Sequence, residues 1–242
     1  MLDKYVVESN FDKNFKSNEL ISYYLMILSN LTTSELGQKK FLSFEEKEQK
    51  GKLFLKYLDF FFKFVYNKDF DFCSNIIANI SSLKEGRLLI LENGLFAIFV
   101  SNFDRVNNFQ LTNILRLVRN CIFEFEKHLD NILVQKAKLF NILAKVLILA
   151  NIKDSNTIKE AQTSEIDAVY FTHLNSEKAF EEREIINDLV IDILLVLTNS
   201  ESGVITMKEK KLKKVFDIIR KDLSKDPNLA DRVFVITNYL DN

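Results

Sequence analysis

The sequence predicts an all-α fold built as a stack of helical repeats, and three observations predict it. Glycine and proline are scarce, five and one in 242 residues, too few for the many turns of a β-sandwich or barrel. Residues 52–65 confine charge to Lys52, Lys56, Asp59 and Lys63, a stripe with spacings of four, three and four. The rest of that segment is almost wholly apolar, and a helix apolar on three sides must be covered on both flanks. Finally, a short block recurs along the chain at nearly constant intervals.

Periodicity predicts helices in chain order at about 18–31, 34–44, 52–65, 71–81, 85–92, 94–103, 111–125, 136–150, 184–198, 208–223 and 228–240. In 111–125 a buried face of Leu111, Ile114, Leu115, Leu117, Val118, Cys121, Ile122 and Phe125 opposes a polar stripe of Asn113, Arg116 and Asn120. In 136–150 Lys138, Asn141 and Lys145 take the wet side. Segment 184–198 presents Ile185, Ile186, Leu189, Val190, Ile193, Leu194 and Leu197 as a wide core face. Pro227, just after Asp226, suits the first turn of the last helix.

The recurring block is Ile27-Leu28-Ser29-Asn30-Leu31-Thr32 with Gly37, then Ile76-Ile77-Ala78-Asn79-Ile80-Ser81 with Gly86. In both, glycine follows asparagine by seven residues. Leu195-Val196-Leu197-Thr198 with Gly203 keeps the register, Val196 holding the asparagine place. Asn120 and Asn238 mark two further copies without the glycine. Intervals between equivalent positions are 49, 41, 76 and 42. Two of them fall within the armadillo/HEAT period of about 40–47 residues and the first lies just beyond it. We therefore expect an armadillo/HEAT-like α-solenoid of about five helical repeats, a single domain over 1–242. The long interval carries a loop-rich insertion at about 152–182. The glycine is expected to allow the tight turn that ends each long helix.

A net charge of −1 provides no field for nucleic acid or an anionic membrane. No apolar run is long and uncharged enough to cross a bilayer. The first residues carry no signal-peptide pattern, and Cys73 and Cys121, 48 apart, suit a reducing compartment as packing residues. The expected location is the cytoplasm. His128 and His173 are solitary, and no phosphate loop, catalytic triad or metal-ligand spacing occurs. The chain is expected to be no enzyme, to use no cofactor or metal, and to work as a monomer that binds another protein. An inner-helix amide can pair with the backbone of an extended chain. Asn30, Asn79, Arg116, Arg119 and Asn120 are the candidate protein-binding residues, expected as a polar row on a concave face. The competing reading is that each asparagine bonds the adjacent turn.

The run Leu117-Val118-Arg119-Asn120-Cys121-Ile122-Phe123-Glu124 resembles the Arg/Lys-Asn-Cys-Cys-Phe-acidic signature of the eukaryotic HGH family. Ala78-Asn79-Ile80-Ser81 with Gly86-Arg87, Ile166 to Phe171, and Leu194 to Thr198 with Gly203 are similar to further blocks in the same order. Ile122 stands where the signature has its second cysteine. The resemblance covers about residues 70–240. It implies an armadillo-like folding chaperone that binds immature translation elongation factor 2, together with the cytosolic chaperonin. The alternative is a general armadillo scaffold or peptide receptor such as a transport adaptor. Import receptors of that kind alternate Trp and Asn, whereas this chain lacks Trp and places Arg116 four residues before Asn120, which would repel a basic signal.

Overall fold

The computed structural model describes residues 19–43, 68–92, 96, 108–123, 136–151, 179–223 and 226–241. The predicted helix over 52–65, that over 94–103 apart from Phe96, and residues 152–178 of the expected insertion lie outside the described residues. The described residues form helices joined by short turns, with no strand among them. The helices are α1 (Glu19–Leu31), α2 (Glu35–Ser43), α3 (Lys68–Ile80), α4 (Lys84–Glu92) and α5 (Asn108–Phe123). They continue as α6 (Lys136–Asn151), α7 (Ala179–Leu197), α8 (Glu201–Glu209), α9 (Leu212–Leu223) and α10 (Pro227–Asp241).

Local chemistry accounts for several boundaries. The Asp226 carboxylate accepts from the backbone N–H of Asn228 at 2.9 Å and of Leu229 at 3.4 Å, with Pro227 opening α10 as expected. The Ser200 hydroxyl caps α8 by accepting from the Gly203 N–H. One expectation fails: residues 208–223 are two elements, with α8 ending at Glu209 and α9 starting at Leu212. Lys211 between them is left-handed, with φ of 55°. The Lys210 and Lys211 N–H groups donate to Thr206 and Lys208 and close α8. In α9 the buried Leu212, Val215, Phe216 and Ile219 follow at helical spacing, and Lys213 and Lys214 face out.

The long helices pack in succession: α1 on α3, α3 on α5, α5 on α7 and α7 on α10. Behind this row, α2 rests on α3, α4 on α5, and α6 on α7, while α8 and α9 join α6 to α10. The inner row helices α3, α5 and α7 are thus covered on both flanks and from behind. The outcome is one continuous apolar cluster that includes Ile77, Ile80, Leu115, Val118, Phe140, Leu194, Phe216 and Ile236, all nearly inaccessible to water. Burying each such side chain contributes about 1.5–3 kcal/mol, so the row is held mainly by this seam. Cys73 and Cys121 are free thiols within it. Ile185, expected in the core face of α7, is instead exposed.

Candidate protein-binding face

The repeated block builds a repeated corner. The hydroxyl of Thr32, Ser81 or Thr198 donates back to a carbonyl three residues earlier, that of Ser29, Ala78 or Leu195, at 3.0, 2.7 and 2.6 Å. This closes the end of the row helix. The glycine is the third residue of the helix that follows, as in Glu35-Leu36-Gly37. A Cβ added to Gly37, Gly86 or Gly203 would lie 1.8, 2.1 or 2.1 Å from the carbonyl oxygen of Leu31, Ile80 or Leu197. The glycine therefore serves close helix crossing and not a left-handed turn. The next side chain secures the corner. The Gln38 amide donates to the Thr32 carbonyl at 2.8 Å, and the Arg87 guanidinium to the carbonyls of Ser81 and Ser82 at 2.9 and 2.7 Å.

Neighbouring row helices are stitched together through these corners. The Asn79 amide donates to the Thr32 hydroxyl at 3.2 Å and the Ser29 carbonyl at 3.4 Å, and Asn75 donates to the Ser29 hydroxyl at 2.7 Å. The Asn120 amide donates to the Ser81 hydroxyl at 2.9 Å. Lower down the same helices, Gln110 donates to the Asp71 carboxylate at 2.6 Å and Asn113 to the Ser74 hydroxyl at 3.1 Å. Partners rise together along both chains, so α1, α3 and α5 run parallel. Beyond α5 the stitching is ionic. Arg119 pairs with one oxygen of Asp192 at 2.7 Å, and Arg232 holds the other oxygen together with Asp188. Burial works against the charge of Arg232, but its bonds to Asp188 and Asp192 outweigh it and raise its pKa.

The five candidate residues thus divide. Asn79 and Asn120 are half-buried with their amides engaged on the preceding corner, and Arg119 reaches forward to α7. Arg116 is exposed on α5, and Asn30 is exposed on the side of α1 turned away from α3. The expected stripe of Asn113, Arg116 and Asn120 is corrected: Asn113 is buried, because α5 is covered from both flanks. What α5 leaves exposed is Phe109 and Arg116, seven apart, with Thr112 and Arg119 half-buried on the same face. Phe109, 49% exposed, and Ile185, 43% exposed, were missed as surface residues. The signal that could have found Phe109 is its spacing of seven from Arg116. For Ile185 the sequence gives none, since an isoleucine beside core residues reads as core.

The signature-like run also occupies the seam. Cys121 is fully enclosed, and burial pushes its thiol from 9.0 up to about 12, against a small opposing pull from Arg87. It is an inert packing group and not a nucleophile. No single helix among the described residues is long and apolar enough to cross a membrane. The model of one protein family, a domain of unknown function designated DUF383, matches residues 14–186. The chain belongs to the DUF383 family. The match runs through α6 and ends within α7, so the family's shared region contains the amide-stitched part of the row. No curated protein matches the chain.

Proposed function

We propose that this DUF383 protein is a non-enzymatic adaptor, an armadillo/HEAT-like α-solenoid of about five repeats. In this reading it binds immature translation elongation factor 2 in the cytoplasm and assists its folding with the cytosolic chaperonin. The observation that carries the protein-binding part is the open stripe of α5. A large aromatic, Phe109, stands there in line with Arg116, on a helix otherwise sealed by neighbours. Aromatic and arginine side chains in line are the usual anchors of a protein contact. The succession of long helices α1, α3, α5, α7 and α10 supports the solenoid, since each packs on its neighbours in the row. The client's identity rests on the resemblance of Arg119-Asn120-Cys121-Ile122-Phe123 and the blocks around it to the HGH family. In this reading Asn120 and Cys121 act by holding the seam, and contact with the client falls to Phe109, Arg116 and their surroundings.

An adaptor of this kind must favour the incompletely folded client over the native one, because equal affinity would shift nothing. The test compares binding of newly synthesised and of native elongation factor 2 to the wild type and to a Phe109→Ala/Arg116→Glu variant. Preferential binding of the immature form, lost in the variant, is expected. Equal binding of both forms, or none, would end the chaperone reading and leave a general armadillo scaffold.

A further inference from the structure

Among the described residues of the inner row helices, two large apolar side chains are exposed, Phe109 on α5 and Ile185 on α7. They belong to one face. Phe109 stands seven residues before Arg116 on α5, and Ile185 seven before Asp192 on α7, so each pair shares one side of its helix. Arg119, three residues after Arg116, bridges to Asp192 and joins those two sides along the α5–α7 seam. Phe109 precedes Asn120 by eleven residues, and Ile185 precedes Val196 by eleven. Since Val196 holds the asparagine place, the two apolar groups occupy the same place in the repeat.

The charges of this face are unevenly matched. Asp188 and Asp192 are held by Arg232 and Arg119, and Asp71, on the α3 side, accepts from Gln110. Arg116 is exposed and meets no carboxylate among the described residues. The face therefore offers an apolar shelf at one end and an unmatched guanidinium two turns along α5. Seven residues at 1.5 Å each set the two about 10 Å apart. An extended chain, rising roughly 3.3 Å per residue, covers that span in about three residues. We infer that this face binds an extended protein segment bearing a carboxylate about three residues from a large apolar side chain. The carboxylate would form charge-assisted hydrogen bonds with Arg116 while the apolar group rests on Phe109 and Ile185. A nucleic acid fits poorly, because its closely spaced phosphates would meet Asp188 and Asp192 beside a single open cation. The inference rests on the reading of this face as protein-binding, and it suits an incompletely folded client, whose large apolar side chains are still accessible.

The test uses the full chain and a labelled Gly/Ser-rich peptide carrying one Phe with a Glu three residues to either side, followed by fluorescence anisotropy. Two control peptides replace each Glu by Lys or move it next to the Phe. The wild type is expected to bind the first peptide about tenfold more tightly than either control, and less tightly as salt rises. Arg116→Glu should turn the preference toward the Lys peptide, Arg116→Lys should keep the wild-type order, and Phe109→Ala should weaken binding of every peptide. Ile205→Ala, on α8 outside the row, should change nothing, with helical content and melting checked for each variant. Equal binding of the three peptides, binding of none, or an Arg116→Glu variant that keeps the wild-type order would overturn the inference. No elongation factor 2 enters this experiment, so the two readings fail separately. Capture of newly made elongation factor 2 without the peptide preference sinks the inference alone. The peptide preference without that capture supports it and ends only the client reading.

Discussion

Gly86→Ala should be strongly destabilising, against the ordinary rule for a helical glycine. In an unobstructed helix the change stabilises by about 0.4–1 kcal/mol, because alanine loses less freedom on folding. Here the new methyl would stand 2.1 Å from the Ile80 carbonyl oxygen and 2.8 Å from its carbon. Both are backbone atoms at the end of α3 and cannot rotate aside. The crossing of α3 and α4 has to open, and with it the seat of the Arg87 guanidinium on the Ser81 and Ser82 carbonyls. A hydrogen bond from a charged group is worth about 1.5–3 kcal/mol, and the Asn120 bond to Ser81 leans on the same corner. Losing one such bond plus some packing gives a net cost of about 2–4 kcal/mol. For a domain of this size that lowers Tm by roughly 4–16 °C. Urea denaturation and calorimetry of the purified variant measure it directly. A neutral or stabilising outcome would refute the close-crossing account of this glycine.

Three further outcomes are expected. Asp192→Asn removes the charge that holds Arg119 and Arg232 together, and should cost about 1–3 kcal/mol; urea titration and a double-mutant cycle with Arg232→Met should show coupling between the two sites. Asn120→Ala should cost about 1 kcal/mol because it removes the bond that the Ser81 hydroxyl accepts, whereas Asn30→Ala on the outer side of α1 should fall within about 0.5 kcal/mol of the wild type. Cys121, with its thiol pushed up to about 12, should resist alkylation at pH 8 and label only as the chain unfolds. A pKa raised on folding adds stability below the unfolded value, so this contribution should fade as pH rises above about 9, visible as a falling denaturation midpoint.

The sequence carried the helical class, the placement of the long helices and the Asn-to-Gly block, because each is written locally in periodicity or spacing. It could not reveal the division of 208–223. A helix end is expected to announce itself with glycine or asparagine in the left-handed place, and Lys211 holds that place without either. Asn113 read as surface because a single helix does not disclose that neighbours close both its flanks. The partners of Asn79 and Asn120 were present in the text as Thr32 and Ser81, but matching them requires the register between helices some 40–50 residues apart. Asp192 and Arg232 are hidden for the same reason. Charges 40 positions apart become a pair only once α10 is laid beside α7.

The stitching between row helices changes character along the chain, and this bears on how the molecule comes apart. From α1 to α5 the row cross-links come mostly from neutral amides and hydroxyls, with the Asp71 carboxylate the one charged partner named, while the row contacts of α5 with α7 and of α7 with α10 carry guanidinium–carboxylate bridges. Ionic strength weakens the second kind and barely touches the first. A row in which each helix leans only on its neighbours behaves as a chain of separable links, and its weakest link depends on the solvent. In urea the two halves face a similar challenge and should melt together. In guanidinium chloride, itself a salt, the α7–α10 half should loosen first, so that one molecule gives a single transition in one denaturant and a broadened one in the other.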